Sequence, residues 1–135
     1  MTKLISEIVT EASNAEKAKD KVKILQSNDS PALREVLKFL FHPDVKLYTS
    51  TPPEYNKDPA PVGYSYQTLY NVYRKFYIFT ENYVLKKERK DQLLTEILES
   101  IDTGEASLLH QRFSGKLLLR LNKKIINEAF PGLIP

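Results

Sequence analysis

Apolar side chains recur along this chain at helical spacing, in several separate blocks. Leu4, Ile5, Ile8, Val9 and Ala12 fall on one stripe and predict a short amphipathic helix with Thr2 as its N-cap. A second stripe of Ala15, Ala18, Val22 and Leu25 predicts a helix over 15–26, capped by Asn14. Ser30-Pro31 sets a capping hydroxyl before a proline at the first helical position. The apolar run Leu33, Val36, Leu37, Leu40 and Phe41 then carries a third helix to about His42-Pro43.

The pattern breaks between Val45 and Gly63, where Pro52, Pro53, Pro59 and Pro61 remove amide donors and push the preceding residues out of helical backbone. It resumes over 65–79, with Leu69, Val72, Phe76 and Phe79 on one face and Tyr66, Tyr70, Tyr73 and Tyr77 on the next. The expectation for these tyrosines, and for Tyr64 and Tyr83, is packing into the core with hydroxyls at its rim, rather than stacking on nucleic-acid bases. Leu94, Ile97, Leu98 and Ile101 define a helix over 91–101, with Gly104 read as its stop. From Glu105 to Ala129, apolar residues at 109, 113, 117, 121 and 125 predict two helices, separated near Ser114-Gly115, with Asn122 as a new N-cap. No strand alternation or internal repeat is present, so the expected fold is an all-α, multi-helix single domain spanning 1–135.

Composition narrows the chemistry. With 41% apolar and 27% charged residues the chain has enough hydrophobic material for a core, and no apolar run suits a membrane span or secretory signal. The absence of cysteine removes thiol nucleophiles, disulfides and thiolate metal sites, and fits a cytoplasmic location. Four scattered glycines cannot form a Walker or dinucleotide loop. His42 and His110 lie in no acid, base or metal spacing and read as structural or surface residues. No catalytic residue, metal site or cofactor is expected.

Charge is distributed unevenly, although the net value is only +3. Between Ala106 and Asn127 there is no acid, while Arg112, Lys116, Arg120, Lys123 and Lys124 give a local charge of +5. Positions 112, 116, 120 and 124 repeat every four residues, so a helical path would align them as a ridge able to follow a phosphate backbone. On spacing alone a solvated helix face fits better; the missing acids narrow the difference. Lys86, Lys87, Arg89 and Lys90 form a second cluster, diluted by Glu88, which reads as a solvated face.

The C-terminal residues Ile125, Asn127, Phe130, Pro131, Gly132, Leu133, Ile134 and Pro135 resemble the "I-x-N-x-x-[WF]-P-G-L-I-P" stretch that ends the DNA-binding domain of phage-type ATP-dependent DNA ligases. Looser similarity runs in the same order upstream, through Leu4-Ile5-Ser6-Glu7-Ile8, Leu33-Arg34-Glu35-Val36 and the proline-bearing loop before the aromatic helix. The resemblance implies a stand-alone helical module, or a fragment of a complete ligase, that grips duplex or nicked DNA through its backbone without reading sequence. The segment from Lys116 to Lys124 would face DNA, and the expected contacts are Arg112, Lys116, Arg120, Asn122, Lys123 and Lys124. Where ligases carry an acidic residue, a leucine and then a glycine in this turn, the chain has Lys116, Leu117 and Arg120. No K-x-D-G adenylation motif occurs, so a non-enzymatic role is expected, in the cytoplasm of an infected cell for a phage-encoded protein. A different class of function stays open: a protein-interaction module that binds or inhibits a replication or transcription protein through its aromatic helix and Pro-rich loop.

Overall fold

A computed structural model describes residues 3–61 and 63–134, and among these the regular structure is helical. The elements are α1 (Ile5–Asn14), α2 (Ala18–Ser27), α3 (Pro31–Phe41), α4 (Leu69–Val72), which tightens into a 3-10 helix over Tyr73–Phe79, α5 (Lys87–Ser100), α6 (Thr103–Ser114) and α7 (Lys123–Ala129). All of them bury apolar faces in one cluster centred on Ile8, Leu33, Leu37, Leu69, Leu98, Leu109 and Ile126. The expected all-α single domain is what the chain forms.

Helix ends explain most of the boundaries. Thr2 lies outside the described residues; the first turn of α1 is closed instead by Glu7, whose Oε1 accepts the Leu4 amide at 2.9 Å. Asn14 ends α1 rather than capping α2, which begins three residues later than the stripe predicts, at Ala18. The carbonyls at the end of α1 are met by the buried Lys21, whose Nζ donates to Ser13 O at 2.7 Å. α3 begins as expected, with Ser30 Oγ accepting from the Leu33 amide at 3.0 Å.

The Pro-rich stretch after α3 is tied down at several points. Tyr48 N donates to Phe79 O and Glu81 N to Lys46 O, both at 2.9 Å, forming one isolated antiparallel bridge. Asn56 N donates to Glu99 Oε2 at 2.7 Å, and the Tyr55 ring lies 5.6 Å from that of His110. The aromatic helix starts at Leu69 rather than Ser65, because Asn71 Oδ1 accepts from the Thr68 amide and hydroxyl and fixes the N-cap there. Its tightening to three residues per turn keeps Phe76 and Phe79 on one buried side. The packing expected for the tyrosines is corrected: Tyr64 and Tyr66 before the helix, Tyr77 on its outer side and Tyr83 beyond its end are exposed, while Tyr70 and Tyr73 are half-buried.

Gly104 is not a helix stop. Ile101 already leaves α5 in extended backbone, and Asp102 caps α6, its Oδ2 accepting the Gly104 amide at 2.8 Å. A Cβ at Gly104 would lie 3.2 Å from that oxygen and 3.3 Å from Ser6 Oγ, so glycine here permits close approach of α6 to α1. One residue further on, Glu105 is fully buried, with Oε1 accepting the Leu69 amide at 3.1 Å and Oε2 without a partner. Burial pushes its carboxyl up to about 7, opposed by the Leu69 and Ile5 amides and reinforced by Asp102 and Glu7.

This gives the first prediction. A carboxyl whose folded pKa is raised stabilises the fold in full below its unfolded value near 4.5, and that contribution is lost as pH rises towards about 7. The loss amounts to about 3 kcal/mol at most. Urea unfolding from pH 4.5 to 8 is expected to show falling stability over this window, and Glu105→Gln to flatten the slope; an unchanged slope in the variant would place the titration elsewhere.

Candidate nucleic-acid interface

The expected contact residues divide into two groups. Arg112 lies in the last turn of α6 and is half-buried, with Nε donating to Phe39 O at 2.8 Å and Nη2 to Val45 O at 3.2 Å. Burial draws its pKa below the ordinary arginine range, and the carbonyls it meets include one at the unsatisfied end of α3. Arg112 is therefore a tie between α6 and the end of α3 and does not belong to an outward ridge.

The other five residues are exposed, but not along a helix. α6 ends at Gly115 in left-handed backbone (φ 74°), and Lys116 N returns to Gln111 O at 2.9 Å. From there to Asn122 the chain is non-helical and alternates: Lys116, Leu118, Arg120 and Asn122 face out, Leu117 and Leu119 are half-buried, and Leu121 is buried. A spacing of four fits this two-residue alternation as well as it fits a helical turn, so Lys116 and Arg120 still share one side. Their reach differs, since four residues of extended chain span up to about 13 Å, against about 6 Å in a helix.

The segment is held at both ends and in the middle. Gln111 Oε1 accepts the Leu118 amide at 3.3 Å, Ser13 Oγ accepts the Arg120 amide at 2.7 Å, and Asn122 Oδ1 accepts the Ile125 amide at 3.0 Å to cap α7 as expected. Lys116, Arg120, Lys123 and Lys124 form no ion pair among the described residues, whose four pairs involve other side chains. The terminal signature is a packing device: Asn127 brackets Ile134, donating to its carbonyl at 2.7 Å and accepting from its amide at 2.9 Å, while Phe130 is buried beneath the Arg34 guanidinium, 4.8 Å from its ring centre.

The helix pair α2 and α7 meets through a contact that no local pattern encodes. Lys19, Lys23 and Gln26 share one flank of α2 at i, i+4 and i+7. Gln26 Nε2 donates to Ala129 O at 3.2 Å, so that flank faces α7. Both lysines are exposed.

The second basic cluster is the expected solvated face at Lys86, Lys87, paired with Asp91 at 2.9 Å, and Arg89, bonded to Gln92; Lys90 corrects that expectation, being buried with Nζ donating to Thr80 O. His42 accepts the Asp44 amide within its own turn, at 3.1 Å. A separate groove of about 420 Å3 runs beside the 3-10 helix, lined by Phe39, Val45, Tyr73, Arg74, Phe76 and Tyr77 among others. Among the described residues no cluster of histidine or acidic side chains is arranged to hold a metal ion, and no helix is long and apolar enough to cross a membrane.

Arg112→Ala is expected to destabilise the fold by roughly 2–4 kcal/mol, from two charge-assisted hydrogen bonds lost between α6 and α3. The exposed Lys116→Ala should change stability by less than about 0.5 kcal/mol. Denaturant midpoints of the two variants check this; equal effects would return Arg112 to the surface group.

No curated protein matches the sequence. A family model does, over residues 8–118, from the middle of α1 to the outward Leu118, leaving Arg120, α7 and the terminal signature outside the match. The chain therefore belongs to the family of unknown function DUF6433.

Proposed function

We propose that the chain is a non-catalytic DNA-binding unit that holds duplex or nicked DNA through its sugar-phosphate backbone, without reading sequence. The observation that carries this reading is the set of exposed cations Lys116, Arg120, Lys123 and Lys124, without ion-pair partners among the described residues, in a stretch without acids from Ala106 to Asn127. Like charges held together without counter-ions repel one another, and a polyanion relieves that repulsion by releasing its own condensed cations. The similarity of the terminal signature to phage-type ligase DNA-binding domains supports the same reading. On this view the chain supplies grip to chemistry performed by another protein, in the cytoplasm of an infected cell.

A second reading has its own observation. Tyr77 and Tyr83 meet edge to face at 5.1 Å beside the 420 Å3 groove, and Val84 next to them is 96% exposed. A protein partner covering this apolar surface would make the chain an interaction module.

Four phosphate contacts imply a slope of about −3.6 in log affinity against log salt, or roughly a hundredfold loss between 50 and 200 mM. Fluorescence anisotropy with intact, nicked and single-stranded oligonucleotides is expected to show this slope on duplex. The Lys116→Glu/Arg120→Glu/Lys124→Glu variant should lose binding while keeping its helical circular dichroism. Salt-independent binding, or full binding by the reversed variant, would overturn the proposal and leave the aromatic groove as the functional surface.

A further inference from the structure

Leu118 stands apart from every other residue in the basic row. It is 81% exposed, placed between Lys116 and Arg120 on the same outward side, while Leu117 and Leu119 turn inward to the core. An apolar side chain at the centre of a cationic row gains nothing from phosphate. Its backbone is nonetheless fixed: the Leu118 amide donates to Gln111 Oε1, Gln111 Nε2 donates to Ser107 Oγ at 3.1 Å, and Ser13 Oγ takes the Arg120 amide two residues on. The backbone entropy of presenting this side chain is thus reduced already in the free protein.

We propose that Leu118 is a wedge that enters the minor groove of the bound duplex and leans on a base step, with Lys116 and Arg120 on the phosphates to either side. This rests on the duplex-binding reading of the row. Apolar wedges flanked by cations are how proteins unstack a step and bend DNA without base-specific hydrogen bonds. A nick removes the backbone continuity that resists such bending, so the wedge also gives a physical source of preference for nicked over intact duplex.

The contact is apolar, so it separates experimentally from the charges. Affinities of wild type, Leu118→Ala and Lys116→Ala for nicked and intact duplex are measured across salt. A 2-aminopurine is placed at successive steps about the nick to report unstacking. Leu118→Ala should weaken nicked-duplex binding about tenfold, with the salt slope unchanged and the 2-aminopurine signal lost. Lys116→Ala should lower the slope by about 0.9 and keep the signal. Wild-type binding with the expected slope, but no unstacking and no loss in Leu118→Ala, would overturn the wedge and leave the backbone grip standing. Absence of duplex binding by wild type at low salt would overturn both.

Discussion

The arrangement of the core depends on a single carboxyl group, that of Glu105. It sits in the first turn of α6 and accepts the amide that opens α4, and α1 packs close enough for the Ile5 amide and Glu7 to act on it. The N-termini of α4 and α6 thus meet at this carboxyl, with that of α1 beside it, and its Oε1 accepts the Leu69 amide. An apolar residue would leave that amide unmet, and a fully charged carboxylate would carry a desolvation cost with Asp102 and Glu7 nearby. A carboxyl that keeps its proton near neutrality satisfies the amide without the whole charge. Gly104, immediately before it, lets α6 approach α1 closely enough for the arrangement to form.

At the opposite end of α6 a different problem is solved, with consequences for the surface. The end of α3 leaves Phe39 O without a helical partner, and Arg112 reaches across to it and to Val45 O. That use withdraws one cation from the exposed set. Gly115 then turns the chain, and the non-helical path to Asn122 presents its even-numbered residues outward. The interface is therefore shaped by how two helix ends are satisfied.

Local signals in the sequence were legible at three helix ends closed by their own neighbours. Ser30-Pro31, Ser114-Gly115 and Asn122 are such cases, and the boundaries they predict are those observed. Ambiguity entered where one short motif serves two purposes. Asp102-Thr103-Gly104 reads as a C-terminal stop or as an N-cap, and only the backbone decides: a stop needs positive φ, which Gly104 does not have. Asn14 misled for a related reason, because the partner that closes α1 is Lys21, in the next helix. Tyr64, Tyr66 and Tyr83 are exposed because they lie outside the helix that runs from Leu69 to Phe79, and Tyr77 because the 3-10 turn keeps Phe76 and Phe79 inward.

The four-residue spacing of the basic positions carries a more general lesson about inference from periodicity. Four is close to a helical turn and is also twice the strand period, so outward placement of Lys116 and Arg120 survives a change of backbone that alters their separation and moves Arg112 out of the set. Helical packing would also have turned Leu118 to a different side from its basic neighbours; the alternating path puts all three together. The charge of this surface is thus written in the sequence, while its shape, with an apolar tip between cations, exists only once Gly115 ends the helix and Ser13 and Gln111 take the freed amides. On the proposed reading, that shape matches a groove walled by phosphates and floored by stacked bases, more specific a partner than net charge alone would select.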